Sequence, residues 1–105
     1  MPLPPGYRDL HAADEAGIDR LMRLRFDAPE AEAAAFAVRL VPEGLVLGAD
    51  AGIPLLGSGF AGWLSALPEG GTGGETLIAG RRAHNVVVAP AGARLRRVWV
   101  AVFTL

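Results

Sequence analysis

The glycines in residues 57–62 have a spacing that could bind a dinucleotide, because the segment GSGFAG matches the G-x-G-x-x-G pattern. A dinucleotide-binding turn requires a buried strand before the first glycine, a helix that begins at the third, and an acidic residue about 20 positions later. The preceding IPLL contains a proline, the following WLSAL is ended by Pro68, and Glu75 is too near to contact the ribose. We therefore interpret the match as chance, and expect a loop whose glycines let Phe60 and Trp63 turn towards the core.

Residues that could hold a metal or activate a nucleophile are few. His11, Asp14 and Glu15 have the i, i+3, i+4 spacing of ligands on one helical face. Zinc sites commonly need three or four convergent ligands, and this chain has two histidines and no cysteine. Ser58 stands in GSG rather than in the G-x-S-x-G nucleophile elbow. The sequence therefore assigns no catalytic residue, metal or cofactor, and a non-catalytic protein is favoured over an enzyme.

Arginine supplies all ten basic residues of the chain, and it dominates the charge of the carboxyl end. Residues 76–105 contain five arginines and no acidic residue, whereas residues 1–52 contain five arginines and nine acidic residues. Guanidinium groups bind carboxylates and phosphates through paired hydrogen bonds, so the carboxyl end could bind an anion or a protein partner. The candidate residues for this interface or anion site are Arg82, His84, Arg94, Arg96, Arg97 and Val100.

Three considerations bear on the role of these arginines. The arginines could pair with the acidic amino half, within one chain or across a dimer, since opposite charges in the two halves favour self-complementary packing. A codon preference for arginine would explain the absence of lysine without any function. Nucleic acid is disfavoured as a partner, because the net charge is −1 and the pI is about 6.1.

The elements that would position these residues indicate an α+β domain spanning 1–105. Residues 1–8 are expected to form an extended arm, and the DLHAADEAG segment that follows is expected to form one or two helical turns. Alternation of apolar residues with Arg23 and Arg25 predicts a strand over 18–26. Asp27 and Glu30 then have the spacing of a capping box, which predicts a helix over 28–41 that packs on the sheet through Phe36 and other apolar residues.

The second half of the chain predicts a long glycine-rich loop over 48–75, after a short strand at 44–47, and then a hairpin of 76–89 with 93–105. The sequence APAG at 89–92 suits a type I turn between the two hairpin strands. The run VWVAVF is apolar on both faces, which indicates either a central strand covered on both sides or a strand at a subunit interface. The expected core residues are Met22, Leu24, Phe26, Phe36, Leu40, Val86, Val88, Val98, Val100 and Val102.

An assumed register for the two hairpin strands places their polar residues on two faces. If Val87 pairs with Leu95, one face carries Arg82, His84, Arg94 and Arg96, and the opposite face carries Asn85, Arg97 and Trp99, with Arg81 near its far end. A pocket under the glycine-rich loop would have Phe60, Trp63 and Trp99 as its walls, with an arginine to bind an anionic ligand.

The apolar segment at 51–67 is expected not to span a membrane, because it is shorter than about 20 residues and contains glycines and a proline. The amino terminus has no signal-peptide pattern, which favours the cytoplasm and leaves other compartments open.

Two hypotheses of function follow. The leading one is a non-catalytic interaction domain that pairs with another copy or another protein through the arginine-rich, apolar hairpin. The alternative is a binder of a small anionic molecule, or a small enzyme, with its pocket under the glycine-rich loop.

Overall fold

The computed structural model describes residues 2–15, 20–56 and 63–104, without the side chains of 55 and 56. One antiparallel sheet of six strands forms most of it, in the spatial order β1-β2-β6-β5-β4-β3, with a single α-helix. This arrangement is compatible with the predicted α+β class, although strand greatly exceeds helix. The elements in chain order are β1 (Arg8–Glu15), β2 (Arg20–Pro29), α1 (Glu30–Leu40), β3 (Val46–Leu47), a 3₁₀ helix (Ile53–Leu56), β4 (Thr72–Ile78), β5 (Arg82–Pro90) and β6 (Leu95–Thr104).

The main core lies between α1 and the even-numbered residues of β2, β5 and β6, which we call the helix face of the sheet. Successive side chains of a strand point to opposite faces, so one alternate set is buried by the helix. The rings of Phe26 on β2 and Phe36 on α1 meet edge to face, with centroids 5.2 Å apart. All ten predicted core residues belong to this cluster or pack against it.

The odd-numbered residues of the same strands form the opposite surface, which we call the loop face. A second apolar cluster lies there, in which Ile53 of the 3₁₀ helix packs with Val87 and Trp99. Trp63 packs against this cluster and donates from its indole nitrogen to the carbonyl oxygen of Ile53 at 3.3 Å. Strand β6 is therefore covered on both faces and paired on both edges, which agrees with the first interpretation of VWVAVF.

The amino-terminal predictions need correction. Residues 9–15 of the segment expected to be helical belong instead to β1, which pairs antiparallel with β2, and the last two residues of that segment lie outside the described residues. Strand β2 also continues past the predicted end of the first strand, so Asp27 lies inside the sheet and does not cap the helix. Helix α1 begins at Glu30 without a side-chain cap, and the backbone N–H of Glu30 donates instead to the carbonyl of Arg94 at 2.9 Å. Within the arm predicted at 1–8, Leu3 packs against the core and Arg8 begins β1.

The carboxyl-terminal predictions are correct in outline and wrong in detail. The predicted strand 76–89 is interrupted by a tight turn in which Ala79 and Gly80 both have positive φ, so β4 and β5 are separate strands. The glycine-rich segment 48–75 accordingly contains the 3₁₀ helix and the first half of β4, in addition to residues 57–62, which lie outside the described residues. The strand predicted at 44–47 is present as Val46–Leu47.

The hairpin register also differs, because Val87 pairs with Trp99 and not with Leu95. The partner is displaced by four residues, an even number, so the residues keep the faces that were predicted for them. Arg81 and Arg94 are exceptions, since Arg81 lies in the turn between β4 and β5, and Arg94 lies in the turn between β5 and β6 with a φ of 60°.

The structure gives a steric reason for the glycine at position 73 of β4. A Cβ atom at this position would overlap the carbonyl oxygen of Ala49, so the loop before the 3₁₀ helix can cross β4 only over a residue without a side chain.

Candidate functional site

Charged residues are buried at the centre of the loop face. Arg23, Arg25 and Asp27 occupy alternate positions of β2 and are 2%, 8% and 7% exposed. Charged side chains are seldom buried this fully unless they are paired, since removing a charge from water is costly. In the sequence, Arg23 and Arg25 indicate only a strand, because alternation shows which residues share a face and does not show what covers that face.

Asp27 and Arg97 form the best-defined ion pair of this face. The Nε and Nη2 atoms of Arg97 donate to the two carboxylate oxygens of Asp27 at 2.8 and 3.2 Å. These hydrogen bonds are the largest contribution to the raised pKa of Arg97, and the negative charge of Asp9 raises it by a smaller amount. The predicted anion-site residue Arg97 is therefore already occupied by a carboxylate of its own chain.

Arg25 lies beside this pair and is held less closely. Its Nη1 atom is 3.6 Å from a carboxylate oxygen of Asp9, and the other oxygen of Asp9 is 3.6 Å from Nε2 of His11. Its Nε atom is buried without a hydrogen-bond partner among the described residues. Trp99 is its directly opposite neighbour on β6 and His11 its neighbour on β1.

Two further polar groups lie in the next row of the loop face. Arg23 donates to a carboxylate oxygen of Glu15 at 2.7 Å, and its guanidinium carbon is 5.6 Å from the ring centroid of Trp63. Asn85 donates to the carbonyl of Ala51 at 2.8 Å and to the carboxylate of Glu75 at 2.7 Å. These contacts fix the loop to the sheet.

The predicted candidates of the helix face are dispersed. Arg82 lines a cavity of about 240 Å³ with Arg20, Thr104 and apolar residues. Arg96 is ion-paired with Glu30 at 3.0 Å, at the side of an apolar groove of about 300 Å³. Arg94 lines a separate shallow depression beside the start of α1. The structure therefore does not bring these arginines into one anion site.

His84 is a buried residue of the helix face. Its Nδ1 atom is 3.1 Å from the carbonyl oxygen of Leu40, which ends α1, and its Nε2 atom is buried without a hydrogen-bond partner in the described part of the chain. Among residues 2–15, 20–56 and 63–104, no group of three or more His, Asp or Glu residues could hold a metal ion.

Val100 requires a correction. It has no exposed surface and packs in the main core, with β2 and β5 on its two sides. A side chain without exposed surface cannot contact a partner, so Val100 stabilises the fold and does not form an interface. Of the predicted pocket walls, Trp63 and Trp99 lie in the same loop-face cluster, whereas Phe60 lies outside the described residues.

The two edges of the sheet differ in character. Strand β1 is rich in charge, and its pairing with β2 is interrupted by a bulge between Arg8 and His11. On the other side, β3 pairs with β4 only at Thr72 and Gly73, and no described strand pairs with the outer side of residues 75–78. Four of the seven large apolar residues that are exposed in the described ranges lie at this edge: Val46, Leu47, Leu77 and Ile78.

Comparisons with protein-family models, with curated proteins and with solved structures find no match to this chain. In the described residues no helix is both long enough and apolar enough to cross a membrane. Evidence of function therefore comes from the surfaces and contacts described above.

Proposed function

We propose that this chain is a non-catalytic self-association domain, in which two copies pair through the open edge of β4. The observation that carries the proposal is the exposed apolar edge formed by β3 and the outer half of β4, where Leu77 is 68% exposed and Leu47 is 72% exposed. A sheet edge offers unpaired N–H and C=O groups, and another strand can satisfy them by extending the sheet. The sequence predicted an interface on the carboxyl-terminal hairpin that includes β6. The proposed interface lies instead on β4, whose residues 76–78 were assigned to the first strand of that hairpin.

The contrast with β1 supports this choice of edge. Natural proteins protect edges that must not pair by means of charged side chains and bulges, and β1 has both. Residues 76–78 of β4 have neither a charge nor a bulge in their pairing with β5. Among the described residues, the sheet is therefore protected against further pairing at β1 and open along the outer half of β4.

The charges around the edge favour a second copy of this chain as the occupant. Glu43 and Glu75 lie towards one end of the open segment, where Glu43 accepts a hydrogen bond from Thr76 at 2.9 Å. Arg81 and Arg82 follow the other end. In an antiparallel pair related by a two-fold axis near Leu77, the acidic end of each copy would meet the basic end of the other.

The paired segment is short, so association should be weak and dependent on concentration. We expect Leu77→Lys to shift the protein towards monomer in sedimentation velocity, because lysine at a strand edge opposes pairing. The matched control is Val38→Lys, which places the same charge at an exposed apolar position of α1 that is 56% exposed. Far-UV circular dichroism establishes that both variants are folded. If both variants associate as the wild type does, β4 is not the interface and the proposal is wrong.

A further inference from the structure

The guanidinium of Arg25 has hydrogen-bonding capacity that its described surroundings leave unused. Its side chain is 10% exposed, its Nε atom has no hydrogen-bond partner among the described residues, and its Nη1 atom is 3.6 Å from Asp9. That distance is longer than a hydrogen bond between charged groups, which is about 2.7–2.9 Å. A buried guanidinium with five donors is stable when oxygen acceptors surround it, and here the nearest carboxylate is not fully engaged.

Asp9 is held in an unusual backbone conformation at this point. It lies in the bulge of β1, with a φ of 59° in the left-handed region that residues with a Cβ atom seldom adopt. Its carboxylate is 57% exposed, and it stands between Arg25 and His11 at 3.6 Å from each.

We propose that Arg25 is the anchor of a binding site for a small molecule with a carboxylate group, and that Asp9 is an internal competitor for the same guanidinium. The ligand carboxylate would accept two parallel hydrogen bonds from the fork of Arg25, in the region that Asp9 now contacts only loosely. Trp99 and His11 are the opposite neighbours of Arg25 on the two adjacent strands, so a carboxylate bound to the guanidinium would lie near both side chains.

The neighbouring charges favour a carboxylate over a phosphate. Asp27 lies two residues from Arg25 on the same face and already neutralises Arg97, so the site has little positive charge to balance a dianion. A monoanion needs one guanidinium that is not held by short hydrogen bonds, and Arg25, whose Nη1 atom is 3.6 Å from Asp9, meets this requirement. This site lies at the β1 side of the sheet, and its occupation is independent of pairing at β4.

The test is a titration followed by ¹H–¹⁵N correlation spectra that include the arginine Nε–H signals. Sodium acetate is added at constant ionic strength to the wild type and to Arg25→Gln, Asp9→Asn and Arg82→Gln. We expect a saturable shift of the Arg25 Nε–H and Trp99 indole signals in the wild type. Asp9→Asn should bind acetate about tenfold more tightly, because it removes a competing charge. Arg25→Gln should lose the shift, and Arg82→Gln, which changes an exposed arginine on the other face, should keep it.

Three results would overturn the proposal: shifts that do not saturate, affinity that Asp9→Asn leaves unchanged, and binding that persists in Arg25→Gln. Asp9→Asn changes an exposed side chain, so it remains informative if Arg25→Gln does not fold. A parallel titration with inorganic phosphate separates the two oxyanions, and tighter binding of phosphate than of acetate would contradict the assignment to carboxylates.

Discussion

Asp27 on β2 and Arg97 on β6 stand directly opposite each other in the sheet, and two hydrogen bonds of 2.8 and 3.2 Å join their side chains. The two residues are 70 positions apart in the chain. Their pairing links β2 to β6 on the loop face, next to Arg25 and Asp9.

We expect Asp27→Asn to lower the free energy of unfolding by about 1–3 kcal/mol, because Arg97 loses its charged partner in a largely buried setting. Urea denaturation followed by circular dichroism measures the change. Asp14→Asn is the control, because its ion pair with Arg20 is exposed and contributes little. Equal effects of the two substitutions would contradict the importance assigned to the Asp27–Arg97 pair.

The role of Asp27 marks the limit of local sequence patterns. Asp27 and Glu30 have the spacing of a capping box, and that local signal predicted where a helix would begin within two residues. The side chain of Asp27 is used instead by a distant arginine, and a partner 70 residues away leaves no trace in local spacing. For the same reason β1 was predicted to be helical, since its strand conformation depends on pairing with β2.

Asp14 should titrate below its ordinary value of 3.8, because hydrogen bonds from Arg20 lower the pKa of its carboxyl group. A carboxyl pKa that is lower in the folded than in the unfolded state stabilises the fold above the unfolded value, and this contribution is lost as the pH falls through the folded value. Carbon-detected NMR titration of the Asp14 carboxyl measures the pKa directly. Arg20→Gln should return it towards the ordinary value, and an unchanged titration in that variant would exclude the ion pair as the cause.

Val100→Ala should lower the free energy of unfolding by about 1–3 kcal/mol, since it removes two methyl groups from a fully buried position. Val38→Ala on the exposed side of α1 is the matched control and should change stability little. Thermal and urea denaturation measure both variants. A stable Val100→Ala protein with altered self-association would contradict the assignment of Val100 to the core.

The apolar pattern of β6 was sufficient to predict a strand and a core, yet it left open what covers each face. The sheet order decided the question, because β6 lies between β2 and β5, with α1 on one face and the 3₁₀ helix and Trp63 on the other. The turn at Ala79 and Gly80 was missed because Ala-Gly is a weaker signal than Asn-Gly or Asp-Gly. Without that turn the open edge of β4 could not be recognised in the sequence.

Charge reversal tests the antiparallel arrangement proposed for the β4 edge. We expect Arg81→Glu to weaken association, because it would place a glutamate near Glu43 and Glu75 of the second copy. Adding Glu43→Arg should restore association in part, since the two ends become complementary again. Sedimentation velocity at low and high salt measures both effects. If the double variant is weaker than the single variant, the two ends do not meet in this way.

Native mass spectrometry of the wild-type protein over a range of concentrations tests the central proposal most directly. We predict a monomer of 10.9 kDa at low concentration and a growing population of twice that mass as the concentration rises. The Leu77→Lys variant should remain at the monomer mass under the same conditions. A wild-type protein that remains monomeric throughout, or a dimer that Leu77→Lys leaves intact, would contradict self-association through β4.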